Sequence, residues 1–301
     1  MSRLWQEPAS IDGADFKVAI VAARYNQAIR ANGDVDADVD GDADADGDGD
    51  ADGDADGDAD GDGDTDVLVM GPPGSTTVNN GACSPCGGLT GPAGGCRRVD
   101  DDAVLVDMST SYPLETTDLR SALRDTVHLV DAPVSGGVWR AEIGTLTIIA
   151  GGDGAVLDRL DDALSAMGTV VRTGRLGSGH AMKLLNNYLS ASGLAAACEA
   201  VLVGAKFGLD PDVMADVLNG STGMNNATKV KLKQHINNRA FGSGFTMGLM
   251  AKDLTLGRQL AADLGVPAAG LDAMQALYER AREDLGPDAD HTEVFRLLDP
   301  S

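Results

Sequence analysis

The chain has 301 residues, of which 43% are hydrophobic, and a formal net charge of −24. This length is sufficient for two domains with a sizeable core, while the strong negative charge argues against nucleic acid or an anionic membrane surface as a partner. Because we find no stretch that is long and apolar enough to span a bilayer, and no secretion signal at the N-terminus, we predict a cytoplasmic protein.

Residues 1–33 contain one predicted strand, Phe16–Ala23, which is apolar and bounded by polar residues, as a buried parallel strand is. A dinucleotide-binding fold follows such a strand with Gly-x-Gly-x-x-Gly, whose glycines let the backbone approach a pyrophosphate closely. Residues 24–27 read Arg-Tyr-Asn-Gln instead. The sequence therefore lacks the expected phosphate-binding loop at this position.

Residues 34–66 form an Asp/Gly/Ala tract in which every second residue is Asp, 17 in all. These residue types are poor strand formers and close like charges repel each other, so we predict that the tract is disordered. The segment 42–47 matches the start of a calcium loop, but Gly53 stands where the closing Glu would be. We expect weak, nonspecific cation binding and no metal site, and an acidic surface typical of a halophilic cytoplasm.

Three of the four cysteines, Cys83, Cys86 and Cys96, lie close together in a Gly-rich segment. Their spacing is compatible with a zinc or redox site, but no His lies near them to serve as a fourth zinc ligand. We interpret them as reduced thiols in a loop. The fourth cysteine is Cys198.

Residues 67–173 alternate between predicted strands and predicted helices. The strands are Val67–Met70, Ala103–Val106, Val127–Val130, Leu146–Ala150 and a short one near Val170. One helix is predicted to begin near Pro113, with Glu115 in its first turn, and another covers 155–167. This alternation predicts an α/β layered sheet.

Residues 174–301 have a different pattern, with helical periodicity and no predicted strand. A long helix rich in Ala, Leu and Met is predicted at 180–206. The shorter predicted helices lie at 211–219, 225–236, 247–264, 270–285 and 291–298. We therefore predict an all-helical C-terminal domain.

The long predicted helix carries Lys183 and Asn187, which are four residues apart and share a face. Lys183 would be a proton acceptor if burial lowered its pKa, and an ordinary solvated Lys otherwise. Ser135, Gly136 and Gly137 follow a predicted strand, where glycines bring backbone amides close to a carboxylate, although the same residues also make simple turns.

Ser109 and Thr110 also follow a predicted strand, at the edge where parallel sheets bind ligands. Thr110 is equally suited to be a helix cap before Pro113. Lys252 and Asp253 lie on a late predicted helix, and taken alone this dipeptide is a solvated surface pair.

The order and spacing of these segments resemble the β-hydroxyacid dehydrogenase family, which includes 3-hydroxyisobutyrate dehydrogenases, tartronate semialdehyde reductases and 6-phosphogluconate dehydrogenases. The resemblance covers roughly residues 65–290. It rests on five motifs: Asp107-Met-Ser-Thr110, Asp131-Ala-Pro-Val-Ser-Gly-Gly137, Gly144-Thr-Leu146, Gly177-x-Gly-x-x-x-Lys183-x-x-Asn-Asn187 and Gly244-Phe245…Lys252-Asp-Leu254.

The resemblance implies a Rossmann-like NAD(P)-binding domain, interrupted here by the acidic tract, an all-helical domain that forms homo-oligomers, NAD or NADP as cofactor and a small hydroxyacid substrate. It implies that Lys183 is the catalytic general acid/base. The implied substrate-binding residues are Ser109, Ser135, Gly136, Gly137 and Asn187. The implied cofactor-binding residues are Gly71, Pro72, Thr110 and Lys252, with Phe245 and Asp253 lining the closed cleft.

Three departures from the family pattern leave the function open. The Gly-x-Gly-x-x-Gly loop is absent, the next strand that would select NAD or NADP is absent, and Arg140 stands where the family usually has a small glycine. One reading is an NAD(P)-dependent oxidoreductase that interconverts a small β-hydroxyacid and its semialdehyde. The alternative is a catalytically impaired member, a pseudoenzyme or disrupted gene product, that binds cofactor poorly. A cation-binding acidic protein is a third reading, based on the Asp tract alone.

Overall fold

The structure, a computed structural model, describes residues 104–299 together with the backbone of two short upstream strands at 18–19 and 67–70. The predictions for the acidic tract, for Gly71 and Pro72, and for the cysteines at 83, 86 and 96 fall outside the described residues. The described cysteine, Cys198, is buried and carries a free thiol.

One sheet of seven strands organises the first part of the described chain. The strands are β1 (Val18–Ala19), β2 (Val67–Met70), β3 (Val104–Asp107), β4 (His128–Asp131), β5 (Val134–Ser135), β6 (Leu146–Gly151) and β7 (Gly168–Gly174). The strands β1 to β4 pair in parallel and in chain order, whereas β6 pairs antiparallel with β4 and β5 and parallel with β7. The predicted α/β layered sheet is confirmed, and its β6 side is mixed.

The strands β3 and β4 are apolar along almost their whole length because both of their faces are covered. Each ends in a buried aspartate, and the register pairs Asp107 with Asp131. Two carboxylates therefore lie side by side at the carboxyl edge of the sheet, where an isolated buried charge would be costly without partners.

Short helices connect the strands: α1 (Pro113–Ala122), α2 (Gly137–Glu142), α3 (Gly154–Arg159) and α4 (Asp161–Ser165). The helix predicted at 155–167 is wrong in one respect, because it is divided at Leu160. Arg172 of β7 forms ion pairs with Asp158 and Asp161 on the two sides of this division. The segments β5 and α2 were not predicted as regular structure.

The part of the chain after β7 is helical. Its helices are α5 (Ser178–Phe207), α6 (Pro211–Asn219), α7 (Asn226–Val230), α8 (Met247–Asp263), α9 (Ala269–Leu285) and α10 (Val294–Leu298), with a π-helical turn at Leu232–Ile236 and a 3-10 turn at His291–Glu293. The helix predicted at 225–236 is wrong beyond Val230, because Ile236 and Asn237 donate to carbonyls five residues back and widen the helix. Leu232 and Ile236, the first and last residues of this turn, are both fully buried.

The long helix α5 begins directly against the sheet at Gly179. A Cβ on Gly179 would lie 2.3 Å from the Ile149 carbonyl oxygen and 2.8 Å from Asp131 Oδ2, so only glycine permits this approach. An 18-residue window of this helix has a mean hydropathy of 1.4, so by length and composition the helix could cross a membrane, contrary to our prediction that no such stretch exists. The packing of α5 against β6, α7 and α8 buries part of this apolar surface.

Candidate active site

The end of β3 holds a compact group of hydrogen bonds around the Asp107 carboxylate. Oδ1 accepts from the Ser109 amide at 2.9 Å and from the Ser109 hydroxyl at 2.5 Å. Oδ2 accepts from the Ser111 hydroxyl at 2.9 Å. The hydroxyl of Ser109, which the resemblance assigns to a substrate carboxylate, is therefore oriented by Asp107 in this structure.

The end of β4 caps the long helix through Asp131, whose side chain is fully buried. Its two oxygens accept from the Gly177 amide at 2.7 Å and from the His180 amide at 2.8 Å. Burial raises the pKa of Asp131, while the His180 charge and the two amides oppose that rise. Because a carboxylate at a helix N-terminus also interacts favourably with the helix dipole, Asp131 fixes where α5 starts.

His180 joins these two strand ends. Its ring is fully buried, with Nε2 3.6 Å from Asp107 Oδ2 and Nδ1 2.9 Å from the Thr116 hydroxyl of α1. One residue of α5 thus contacts β3 and α1 with its side chain and β4 with its backbone. The first turn of α5 is held against the carboxyl edge of the sheet at three points.

Lys183 lies one turn beyond Gly179 on the same face of α5, and its side chain is buried with only 6% exposure. Burial lowers the pKa of Lys183, Asp253 raises it, and Lys252 lowers it further. Within the described part of the chain, the Lys183 ammonium has no hydrogen-bond partner. A buried, unbonded amine with a lowered pKa is suited to accept and return a proton.

A chain of polar contacts connects α5 to α8 and α8 to the sheet. The Asn187 amide nitrogen donates to Asp253 Oδ2 at 2.6 Å, and Lys252 Nζ lies 2.9 Å from Asp253 Oδ1 in an ion pair without hydrogen-bond alignment. Lys252 Nζ also donates to the Thr110 carbonyl at 2.6 Å. Lys252 and Asp253 are therefore not a solvated surface pair, since the carboxylate of Asp253 is buried at 2% exposure.

The loop that carries Phe245 is fixed by two residues near the C-terminus. Asp290 accepts from the Ser243 hydroxyl and the Gly244 amide, and the ring of His291 packs edge-on against Phe245 with centroids 5.5 Å apart. Lys231 Nζ lies 2.8 Å from His291 Nε2, and burial lowers the pKa of Lys231 to about 8. These contacts hold the segment that precedes α8 in place.

Ser135, Gly136 and Gly137 form the turn between β5 and α2. Gly136 and Gly137 have φ angles of 143° and 76°, which L side chains rarely adopt, so glycine is required at both positions. The exposed side chain of Arg140 covers one side of this turn.

The described contacts bring together candidate residues from β3, α5 and α8, listed here: Ser109, Thr110, Lys183, Asn187, Lys252 and Asp253. The structure gives no contact between this group and Ser135, Gly136 or Gly137. Phe245 lies just before α8 and packs on His291. The roles of Asp107, Asp131 and His180 were not predicted from the sequence, although both strands end in an apolar residue followed by Asp, which marks a carboxylate at the sheet edge.

Two family models match most of the described chain. The model described as the NAD binding domain of 6-phosphogluconate dehydrogenase matches residues 88–177. The model described as the NAD-binding of NADP-dependent 3-hydroxyisobutyrate dehydrogenase matches residues 177–298. The two matches meet at the glycine that precedes α5.

The chain is also similar to individual proteins of these families. The chain is 34% identical over 196 residues to the 2-(hydroxymethyl)glutarate dehydrogenase of Eubacterium barkeri, covering 64% of this chain and 65% of that protein. It is 31% identical over 208 residues to the 2-hydroxy-3-oxopropionate reductase of Escherichia coli, covering 68% and 71%. The solved structure of Mycobacterium tuberculosis 3-hydroxyisobutyrate dehydrogenase with L-serine superposes with a TM-score of 0.62 at 29% identity, covering 66% of this chain and 71% of that one.

Proposed function

The chain belongs to the β-hydroxyacid dehydrogenase family, and on that premise we propose that it is an oxidoreductase that uses NAD or NADP to interconvert a small β-hydroxyacid and its semialdehyde. The observation that carries the proposal is the environment of Lys183. Its amine is buried, has a lowered pKa and lies close enough to Asp253 and Lys252 of α8 for their charges to shift that pKa. The chain spans 65% of the length of the Eubacterium barkeri relative and 71% of the Escherichia coli relative. The substrate and the activity of the whole protein are therefore proposals.

In the oxidation direction, neutral Lys183 takes the proton of the substrate hydroxyl at Nζ, and in reduction the ammonium returns it. Asp253 stabilises the ammonium, whereas burial favours the neutral amine, so the two effects keep both forms accessible. Asn187 is held by Asp253 through one amide hydrogen, which leaves its second amide hydrogen for the substrate. The nicotinamide ring, when bound, accepts or supplies the hydride.

The described residues fit a dinucleotide at the carboxyl edge of the parallel strands, which is where such sheets bind ligands. Lys252 is half-exposed there, and its ammonium uses the Thr110 carbonyl and the Asp253 carboxylate. An ammonium has three donors, and only the one to the Thr110 carbonyl is used in an aligned hydrogen bond, so the others remain for acceptor groups of the cofactor. Thr110 and Lys252 would therefore hold the cofactor on this side, with Gly71 and Pro72 proposed for the part of the site that lies outside the described residues.

Cofactor titration separates an active enzyme from an impaired family member. We expect NAD or NADP to bind more weakly than micromolar because the sequence lacks the glycine loop that holds a pyrophosphate. Calorimetry would measure the affinity, and absorbance at the reduced-nicotinamide band would follow turnover with a panel of β-hydroxyacids at saturating cofactor. Turnover that scales with cofactor saturation supports the proposed activity, whereas saturated but inactive protein supports the impaired alternative.

We also propose that the protein is a cytoplasmic homo-oligomer that associates through exposed apolar residues of α5 and α6. Phe207 is 84% exposed and Val203 is 72% exposed, one turn apart on α5, and Val213 and Val217 of α6 are 59% and 61% exposed. Large apolar patches of this kind are rarely left open to water in a soluble protein. Because the family resemblance implies homo-oligomers, we propose a second copy of the chain as the partner.

Replacing Val203 and Phe207 together by Glu should convert the oligomer into a monomer, because each chain would carry two added charges at the proposed contact. Analytical ultracentrifugation at a fixed protein concentration measures the change. The control is Ile143→Glu, which places a charge on an apolar residue in the sheet part of the chain. Ile143 is 51% exposed, and this variant should leave the sedimenting mass unchanged. A wild-type chain that sediments as a monomer would contradict the proposal.

A further inference from the structure

Arg140 lies against the diglycine turn through its aliphatic stem. A Cβ placed on Gly136 would lie 2.7 Å from Arg140 Cδ and 2.9 Å from Arg140 Cβ, so the stem occupies the space that a side chain at Gly136 would fill. A Cβ placed on Gly137 would meet nothing within 4 Å, so the turn is open on that side. Arg140 is exposed, so its guanidinium at the end of the stem is open to solvent beside the turn.

In the part of the chain that the structure describes, the guanidinium of Arg140 has no carboxylate partner. Glu142 is two residues away on α2 and therefore faces a different side of the helix. Many other described arginines do form ion pairs with Asp or Glu: Arg172, Arg239, Arg258, Arg280, Arg282 and Arg296. A cation without a partner is thus placed beside the turn that the family resemblance assigns to the substrate carboxylate.

A guanidinium binds a carboxylate through two parallel hydrogen bonds, and its flat fork selects that geometry. The family resemblance assigns the turn at Ser135–Gly137 to the carboxylate that every β-hydroxyacid has. The guanidinium of Arg140 is exposed beside this turn, so it is available to bind a second anionic group of a substrate held at the turn. We propose that Arg140 binds a second carboxylate, and that the substrate class of this site is a hydroxy-dicarboxylate; this rests on the function proposed above.

The test compares two acids of the same chain length, 2-(hydroxymethyl)pentanoate and 2-(hydroxymethyl)glutarate, which differ in ending with a methyl group or a carboxylate. We expect the wild-type chain to prefer the dicarboxylate in kcat/KM by at least about tenfold. Arg140→Ala should reduce kcat/KM for the dicarboxylate by roughly tenfold to a hundredfold and leave the monocarboxylate within about twofold. Arg140→Lys keeps the positive charge but loses the planar guanidinium, so its kcat/KM for the dicarboxylate should lie between those of the wild-type chain and Arg140→Ala. Arg280→Ala removes an exposed cation far along the chain and is the matched control.

Equal losses for both acids in Arg140→Ala, or equal turnover of both acids by the wild-type chain, would overturn the inference while the proposed function stands. If neither acid is turned over, calorimetry of the same two acids separates the two ideas. Dicarboxylate binding that is weakened by Arg140→Ala supports the inference even though the proposed activity fails. Binding of the dicarboxylate that is equal in wild type and Arg140→Ala, or absent from both, overturns it.

Discussion

Lys183→Ala should reduce hydride transfer by roughly a hundredfold to ten-thousandfold, the usual contribution of a positioned acid or base. The fold should remain intact, because the buried ammonium has no hydrogen bond to any residue that the structure describes and burial already disfavours its charge. Steady-state kcat at saturating cofactor measures the effect, and thermal unfolding measures the stability. Since burial lowers the pKa of Lys183, the rate of hydroxyacid oxidation by the wild-type chain should rise with pH through an ionisation that lies below 10.5. The alanine variant should lack this ionisation.

Two further variants separate proton transfer from charge and from packing. Lys183→Arg keeps a cation whose pKa is too high to act as a base, so its turnover should fall as far as in the alanine variant. Lys183→Met fills the same space without charge and should unfold no earlier than wild type, because it removes the cost of burying an ammonium. Turnover in Lys183→Ala equal to that of the wild-type chain would show that the proton acceptor is another group.

Asp131→Ala should lower the free energy of unfolding by about 2–5 kcal/mol, because it leaves two buried amides at the start of α5 without an acceptor. Urea denaturation followed by circular dichroism measures the loss. The matched control is Asp153→Ala. Asp153 accepts from two amides at the start of α3 in the same way but is exposed, so water can replace it and the loss should be about 1 kcal/mol.

The comparison of the two aspartates isolates burial as the cause of the difference. If Asp131→Ala and Asp153→Ala destabilise equally, the strand-end carboxylate is an ordinary helix cap and does not anchor α5. Asp131→Asn retains the size of the side chain, but its amide nitrogen would face a backbone N–H, so it should recover only part of the loss.

Elements set by neighbouring residues were predictable from the sequence. The bounds of α6 are an example, since Asp210 caps the helix, Pro211 begins it and Gly220 follows its end. The widened helix after Val230 was not predictable in this way, because it accompanies a contact between Lys231 and His291 from the far end of the chain. The same reason applies to Asp131, whose partners lie 46 and 49 residues away in sequence.

In the candidate site, too, some features follow from neighbouring residues and others depend on residues that are distant in sequence. The shared face of Lys183 and Asn187 follows from helical spacing alone. The burial of Lys183 and its proximity to Asp253 do not, because they depend on how α8 packs against α5. The short helix α2 was missed because Gly136 and Gly137 are typical turn residues, and a helix of six residues is too short to show a clear helical period.

The helix α5 places Gly179, Lys183 and Asn187 at intervals of four residues, with the first against the sheet and the last against Asp253. Each added or deleted residue would rotate everything downstream by roughly 100° around the helix axis. Such a change would turn the amine away from the other groups without altering a single contacting side chain. Length variation among relatives should therefore be confined to loops, and the interval from 179 to 187 should be constant wherever the activity is retained.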